Sequence, residues 1–293
     1  MGSNNFNGHF KMKRQGNENS YTKIISVTSG KGGVGKTNIV CNLAYCFASM
    51  GKRVIIMDAD LSLGNVSVIM GMIPKYNISQ VIYGDKQLRD IIMTDSNGIM
   101  VLPASSGISE LSNLSESQKI TLMSRFDEFA GDLDVSGRPI DVLLIDTGAG
   151  ISSNVLYFNL AASEIYVIVT PEPTSITDAY ALIKVLSTKY SEKYFSIIVN
   201  NVRSEREAKE VYKHLSLVSD KFLKVNLNYL GHILNDDNVS RSVIMQRPAS
   251  SIFPDSKVSL CFKKLAYNIL SQKDNKTSNG NIQFFLNRLL MSF

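Results

Sequence analysis

Tryptophan is absent from this chain of 293 residues, and proline and cysteine are scarce, with seven and three copies. Cys41, Cys46 and Cys261 are too few for a disulfide framework and have no CxxC spacing for a metal, so neither a stapled secreted module nor a zinc domain is expected. A reduced, cytoplasmic setting follows. Nowhere do roughly 18 uncharged apolar residues run together, which excludes a membrane-spanning helix and leaves only peripheral membrane contact. Charge of one sign is also missing: 31 Lys and Arg are scattered among 26 Asp and Glu, for a formal net charge of +5. No basic run is dense enough to signal a nucleic-acid tract. Residues 1–21 are polar, rich in Asn and Gly, and lack the apolar core of a signal peptide; they read as a disordered tail.

What is present is a 44% hydrophobic fraction, enough for a sizeable core. From Lys23 onward, short β-branched runs alternate with longer stretches of helical period, the pattern of successive βα units. Strands are expected at Ile24–Thr28, Val54–Asp58, Ile99–Leu102, Val142–Ile145, Ile165–Val169, Ser196–Val199 and Tyr229–Ile233. Helices are expected at Lys36–Met50, Glu116–Ala130, Ile176–Tyr190, Glu205–Ser219 and Ser256–Leu270. Most strands are nearly free of charge, as strands covered on both faces are. The fold class is therefore α/β: a single P-loop NTPase domain over residues 22–271, its mainly parallel sheet flanked by helices on both faces. A polar, flexible linker follows at 272–281, and then an amphipathic helix at 282–293.

Directly after the first strand, Gly30-Lys31-Gly32-Gly33-Val34-Gly35-Lys36-Thr37 matches GxxxxGK[ST] in the strand-loop-helix setting that gives this motif its meaning. The glycines let successive backbone N–H groups turn toward a phosphate, and the following helix aims its positive end there. Lys36 is placed to neutralise the β- and γ-phosphate oxygens of ATP, and the Thr37 hydroxyl to ligate Mg²⁺. Lys31 is an extra cation that such a loop does not need. It reads either as a solvated surface lysine or as one reaching the phosphates of a facing subunit.

The second strand ends in Met57-Asp58-Ala59-Asp60, two carboxylates at the sheet edge where open α/β folds bind ligands. One of them can hold the Mg²⁺ hydration shell and the other can orient an attacking water. The apolar run Val142 to Ile145 ends in Asp146, as a Walker B strand does, and Asp146 is expected on Mg²⁺ through water. Thr147-Gly148-Ala149-Gly150 follows, a small-residue turn able to approach the γ-phosphate. Asn200-Asn201 closes another strand and offers donor and acceptor to a purine edge. Thr170-Pro171-Glu172-Pro173-Thr174 follows another strand at the same sheet edge, so its backbone is also expected to line the base pocket.

These residues resemble the deviant Walker A motif of the MinD, ParA and nitrogenase-iron-protein class, over about 250 residues. Within that likeness, Asp58-Ala59-Asp60-Leu61-Ser62-Leu63-Gly64-Asn65-Val66, Pro103 to Ile108, Ile145 to Ile151 and Thr170 to Tyr180 are similar to the flagellar-number regulators known as FlhG, FleN or YlxH. The resemblance implies that Lys31 is the lysine contacting nucleotide across an ATP-bound homodimer, and that Asp60 positions the attacking water. It further implies that Asp58 and Asp146 serve Mg²⁺ and that Asn200, rather than Asn201, reads adenine. Lys31, Lys36 and Asp60 would then carry catalysis. Implied partners are an FlhF-type GTPase and flagellar basal-body or transcription-regulator components. Two departures stand out: Asn38 occupies the place of a second Thr, and the first twenty residues hold no DQAxxLR-like stretch.

Ile282, Phe285, Leu286, Leu289, Leu290 and Phe293 recur at helical spacing and form one apolar stripe, with Arg288 on the polar side. Such a helix can lie in a membrane interface or pack on its own domain. The expected function is an ATP-dependent dimerising switch ATPase that regulates flagellar placement and number at the inner face of the cell membrane. ParA-like DNA partitioning and MinD-like division-site placement are the alternatives, and a small-molecule kinase or a metal-delivering ATPase is a more distant class. DNA partitioning would call for a basic stripe, and metal delivery for paired cysteines.

Overall fold

The computed structural model of the chain describes residues 22–61, 63–104, 111, 113–132 and 139–272. The tail 1–21, all of the linker except Gln272, and the stripe from Ile282 to Phe293 lie outside the described residues.

The elements follow the βα alternation. They run β1 Lys23–Ser29, α1 Lys36–Ser49, β2 Val54–Ala59, α2 Val66–Ile69, α3 Ile78–Ile82, α4 Leu88–Ile91, β3 Met93–Thr94, β4 Met100–Leu102 and α5 Glu116–Asp132. After these come β5 Val142–Ala149, α6 Ser153–Ala161, β6 Glu164–Val169, α7 Pro173–Tyr190, β7 Tyr194–Val202, α8 Glu205–Phe222, β8 Asn226–Leu234, α9 Asp237–Ile244, α10 Ala249–Ile252 and α11 Lys257–Ser271. One sheet has the order β3-β4-β2-β5-β1-β6-β7-β8. Every neighbouring pair is parallel except β3 with β4.

Alternation along the strands builds two cores. Ile25 and Val27 of β1, Ile56 of β2 and Leu144 of β5 pack against α1, α2, α10 and α11 on one face. Their neighbours Ile24, Ile55, Leu143 and Ile145 point the other way, toward α3, α4 and α6. Farther along that second face, Ile165, Val167 and Val169 meet α7 and α8. A residue-by-residue switch of face with both faces covered explains why the central strands carry almost no charge. Helix starts follow local chemistry: Ser204 caps α8, Ser256 caps α11, and Pro173 opens α7.

Several elements have no clear trace in the sequence pattern. α6, SNVLYFNLA, is buried along almost its whole length, so its apolar residues show no amphipathic period. α2, α3, α4 and α10 have four or five residues each, too short for a period to show.

Candidate nucleotide site

The glycine-rich loop joins β1 to α1 at the carboxyl edge of the sheet. From β1 the chain proceeds to β2 on one side and to β6, β7 and β8 on the other, so the loop sits at the topological switch point. Most long helices here begin at a side-chain cap, but α1 begins at Gly35 with none. Its first-turn N–H groups are left for an anion, at the positive end of the helix. Gly35 has φ 92°, and a Cβ there would lie 2.5 Å from Asn200 Nδ2. At Gly30 a Cβ would lie 2.1 Å from the backbone carbonyl of Asp178, because α7 crosses directly behind the loop. Only glycine fits either place.

Lys36 is buried, and its ammonium donates to Ser29 Oγ at 3.0 Å. Burial draws its pKa below the usual lysine range, while the fields of Asp146 and Asp60 hold it up. Ser29 in turn donates to the Lys31 carbonyl at 2.7 Å, which links both lysines' segments to the end of β1.

Parallel pairing of β2 with β5 sets Asp58 opposite Asp146. Both carboxylates are 2% exposed. Burial, and then the neighbouring Asp146, pushes Asp58 well above the ordinary carboxylate range. Asp146 is pushed up to about 7, by burial first, with the Thr37 hydroxyl and Lys36 drawing it down and Asp60 raising it. Asp58 spends its oxygens on backbone: Oδ1 accepts from Asp60 N at 3.2 Å and Oδ2 from Val66 N at 3.0 Å. It therefore fixes the turn that carries Asp60. Asp146 Oδ1, by contrast, is buried with no hydrogen-bond partner among the described residues. A buried carboxylate oxygen in that state is costly unless a cation or its water shell completes it. Thr37, Asp58 and Asp146 form an all-oxygen donor set, the chemistry Mg²⁺ prefers, and the residues present fit that ion.

Asp60 is half-buried beyond the end of β2, and Gly148 passes beside it, so a Cβ there would be 3.7 Å from Asp60 Cγ. Thr147, Gly148 and Ala149, expected as a turn, continue β5 because β1 and β2 pair with them, and just past the strand the Gly150 N–H donates to the Ser29 carbonyl at 2.9 Å.

Lys31 stands outside the phosphate cradle. Its ammonium is paired with the Glu172 carboxylate and donates to Thr174 Oγ1 at 3.0 Å, while its side chain stays 36% exposed. Sequence reasoning placed Glu172 and Thr174 only as candidate base-pocket residues. Their hold on Lys31 depends on β6 lying beside β1, a long-range pairing with no local signal.

The two adjacent asparagines part company. Asn200 donates through Nδ2 to the Val34 carbonyl at 2.7 Å and so braces the phosphate loop. Asn201, left-handed at φ 60°, opens instead onto a cavity of about 460 Å³ lined also by Thr170, Pro171, Glu172, Arg203 and Asn235. That cavity is walled by the strand ends singled out for the base, and its Glu172 is the residue that pairs with Lys31 of the loop.

Taken together, the switch-point loop, the buried lysine and the facing aspartates define a P-loop ATPase with an additional lysine in its loop. Residues 25–249 match the CobQ/CobB/MinD/ParA nucleotide binding domain, and the chain belongs to that family. It is 40% identical to the antiactivator FleN of Pseudomonas aeruginosa over 95% of this chain and 97% of that protein. It is also 33% identical to the flagellum site-determining protein YlxH of Helicobacter pylori, over 92% of this chain and 90% of the relative. Among solved structures, the septum site-determining protein MinD of Pyrococcus horikoshii, complexed with Mg-ADP, superposes with a TM-score of 0.67 at 27% identity, covering 85% of this chain and 96% of MinD.

Proposed function

We propose that this chain is an ATP-dependent dimerising switch that regulates flagellar placement and number through partner proteins and peripheral membrane contact. The observation that carries the reading is Lys31: a second loop lysine, outside the cradle that Lys36 already serves, standing at the exposed mouth of the site. A cation placed there is positioned for phosphates presented by a facing copy. The kinship with FleN and YlxH supports the flagellar setting. The MinD structure with Mg-ADP supports Mg²⁺ and nucleotide as ligands.

In this reading the loop amides from Gly30 to Thr37 hold the phosphates, with Gly32, Gly33 and Val34 in the cradle, and Lys36 leaves Ser29 to neutralise them. Thr37, Asp58 and Asp146 would hold Mg²⁺, the carboxylates through its water shell, and the ion would supply charge neutralisation at the transferring phosphate. Asp60, fixed by the Asp58 staple, orients the attacking water. Asn200 reaches the base with its free carbonyl while its amide braces Val34. Lys31 exchanges Glu172 for the partner copy's nucleotide. An FlhF-type GTPase and basal-body or transcription-regulator components are the partners that the flagellar kinship implies, and the segment 282–293 makes the membrane contact.

Sedimentation velocity tests the switch. Asp60→Ala in ATP is expected to run as a dimer and in ADP as a monomer, whereas Lys36→Ala stays monomeric in both. A mass that ignores the nucleotide in Asp60→Ala contradicts the reading.

A further inference from the structure

The segment 282–293 carries a full apolar stripe but a single basic residue, Arg288. An amphipathic helix that holds an anionic bilayer normally combines buried apolar area with several cations. The missing cations lie next door, on the helix that precedes the segment.

α11, KVSLCFKKLAYNILS, contains no Asp or Glu. Val258, Ser259, Phe262, Leu265, Ala266 and Ile269 face inward and are buried. The outward side presents Leu260 at 54% exposure and Tyr267 at 67%, and interleaves them with exposed Lys257, Lys263 and Lys264. At 3.6 residues per turn these five side chains fall within roughly 120° of the helix circumference. Lys263 donates to the Pro254 carbonyl at 2.9 Å, which uses one of its three protons and leaves its charge exposed. Glu205, the α8 carboxylate that feels Lys264, is itself paired with Lys209 at 2.7 Å. The surface therefore alternates cations with an aliphatic and an amphipathic aromatic side chain, and tyrosine suits the headgroup level because one end is apolar and the other wet.

We infer that the exposed face of α11 is a second membrane contact, selective for anionic lipid, that acts together with the segment 282–293. The inference rests on the membrane reading above and adds to it the source of lipid charge selectivity. The face is continuous in sequence with that segment, since residues 273–293 follow directly from the end of α11. The occupant is the headgroup layer: the lysines meet lipid phosphates while Leu260 and Tyr267 enter the interface. Because α11 packs on α1, the helix that starts at the phosphate loop, a lipid-bound α11 sits on the element that receives the nucleotide.

The test is cosedimentation of the full chain, held in its ATP state by Asp60→Ala, with phosphatidylcholine vesicles with and without phosphatidylglycerol. Adding Lys257→Gln, Lys263→Gln and Lys264→Gln is expected to weaken binding to the anionic vesicles by about tenfold or more, to leave binding to neutral vesicles unchanged, and to lower the salt dependence. Leu260→Gln with Tyr267→Gln is expected to weaken binding to both. The solution mass in ATP is expected to stay that of the parent in each variant, which shows that the fold and the switch are intact. If the lysine variant binds anionic vesicles as the parent does, while truncation after Gln272 abolishes binding, the inference about α11 is wrong and the membrane reading survives. If the parent binds neither vesicle, the membrane reading fails and takes this one with it.

Discussion

The chemistry of single residues turns on Asp146 and Lys36, two buried groups held away from their ordinary titration ranges in opposite directions. Asp146 binds its proton more tightly in the folded chain than it would unfolded, with a folded value of about 7 against an ordinary 3.8, and Asp58 shifts the same way. The stabilisation from that held proton is complete below the ordinary carboxylate value and is lost as pH rises toward the folded one. The nucleotide- and metal-free protein should therefore lose stability as pH rises from about 4 to about 7. Asp146→Asn keeps the shape and removes the charge, so its melting temperature should exceed that of the parent by roughly 3–6 °C near pH 8 and come close to it only near pH 4. Thermal melts in a chelating buffer at the two pH values decide it; an equal difference at both would mean that the carboxylate is not the cause. At this scale the phosphate loop, Asp58 and Asp146 were legible in the sequence because each is marked by its immediate neighbours. The brace from Asn200 to the loop was not, since it depends on a contact with Val34, distant in sequence.

Among the elements, α6 does more than fill space. It begins just after the end of β5, and its Asn159, with no exposed surface, accepts from Ser26 Oγ at 2.8 Å and donates to Thr28 Oγ1 at 3.1 Å. A second donation, to the Val155 carbonyl at 2.8 Å, completes the amide. This clamp fixes α6 to the strand that delivers the phosphate loop. Replacing Asn159 by Ala leaves two buried hydroxyls short of a partner, and should lower the unfolding free energy by about 2–3 kcal/mol with no change in the urea m-value. A loss of only a few tenths in a urea titration would show that water or a local shift replaces the amide. Long helices and central strands could be read from the sequence because their periods, 3.6 and 2, persist for whole elements. α6 could not, because a helix buried on nearly every side has no polar face to betray its period. Its clamp to β1 joins residues more than a hundred positions apart.

For the whole molecule, the parallel order of the sheet explains why the site gathers where it does. β1 lies between β5 and β6, so the loop after it meets the Asp146 strand on one side and the Glu172 junction on the other. Among the described residues no helix is long and apolar enough to cross a membrane. The pattern of strands and helices disclosed the fold and placed the motifs at one edge, whereas the resting pair of Lys31 with Glu172 required the assembled sheet. That pair matters because it holds the lysine that a facing subunit would need. The action of Lys31 across two copies can be tested by mixing. In the proposed mechanism Lys31→Ala lacks the lysine and Asp60→Ala lacks the carboxylate assigned to orient the water, so each alone should hydrolyse ATP very slowly. In a mixed dimer with the lysine acting across the interface, the Lys31→Ala protomer keeps its own Asp60 and receives Lys31 from its neighbour, which restores one complete site. The measurement is phosphate release from the two variants, alone and in equimolar mixture. Recovery toward a quarter of the parent rate is expected for random pairing of two inactive forms, and a mixture no faster than its components, with mixed dimers present, would contradict the transfer of Lys31 between subunits.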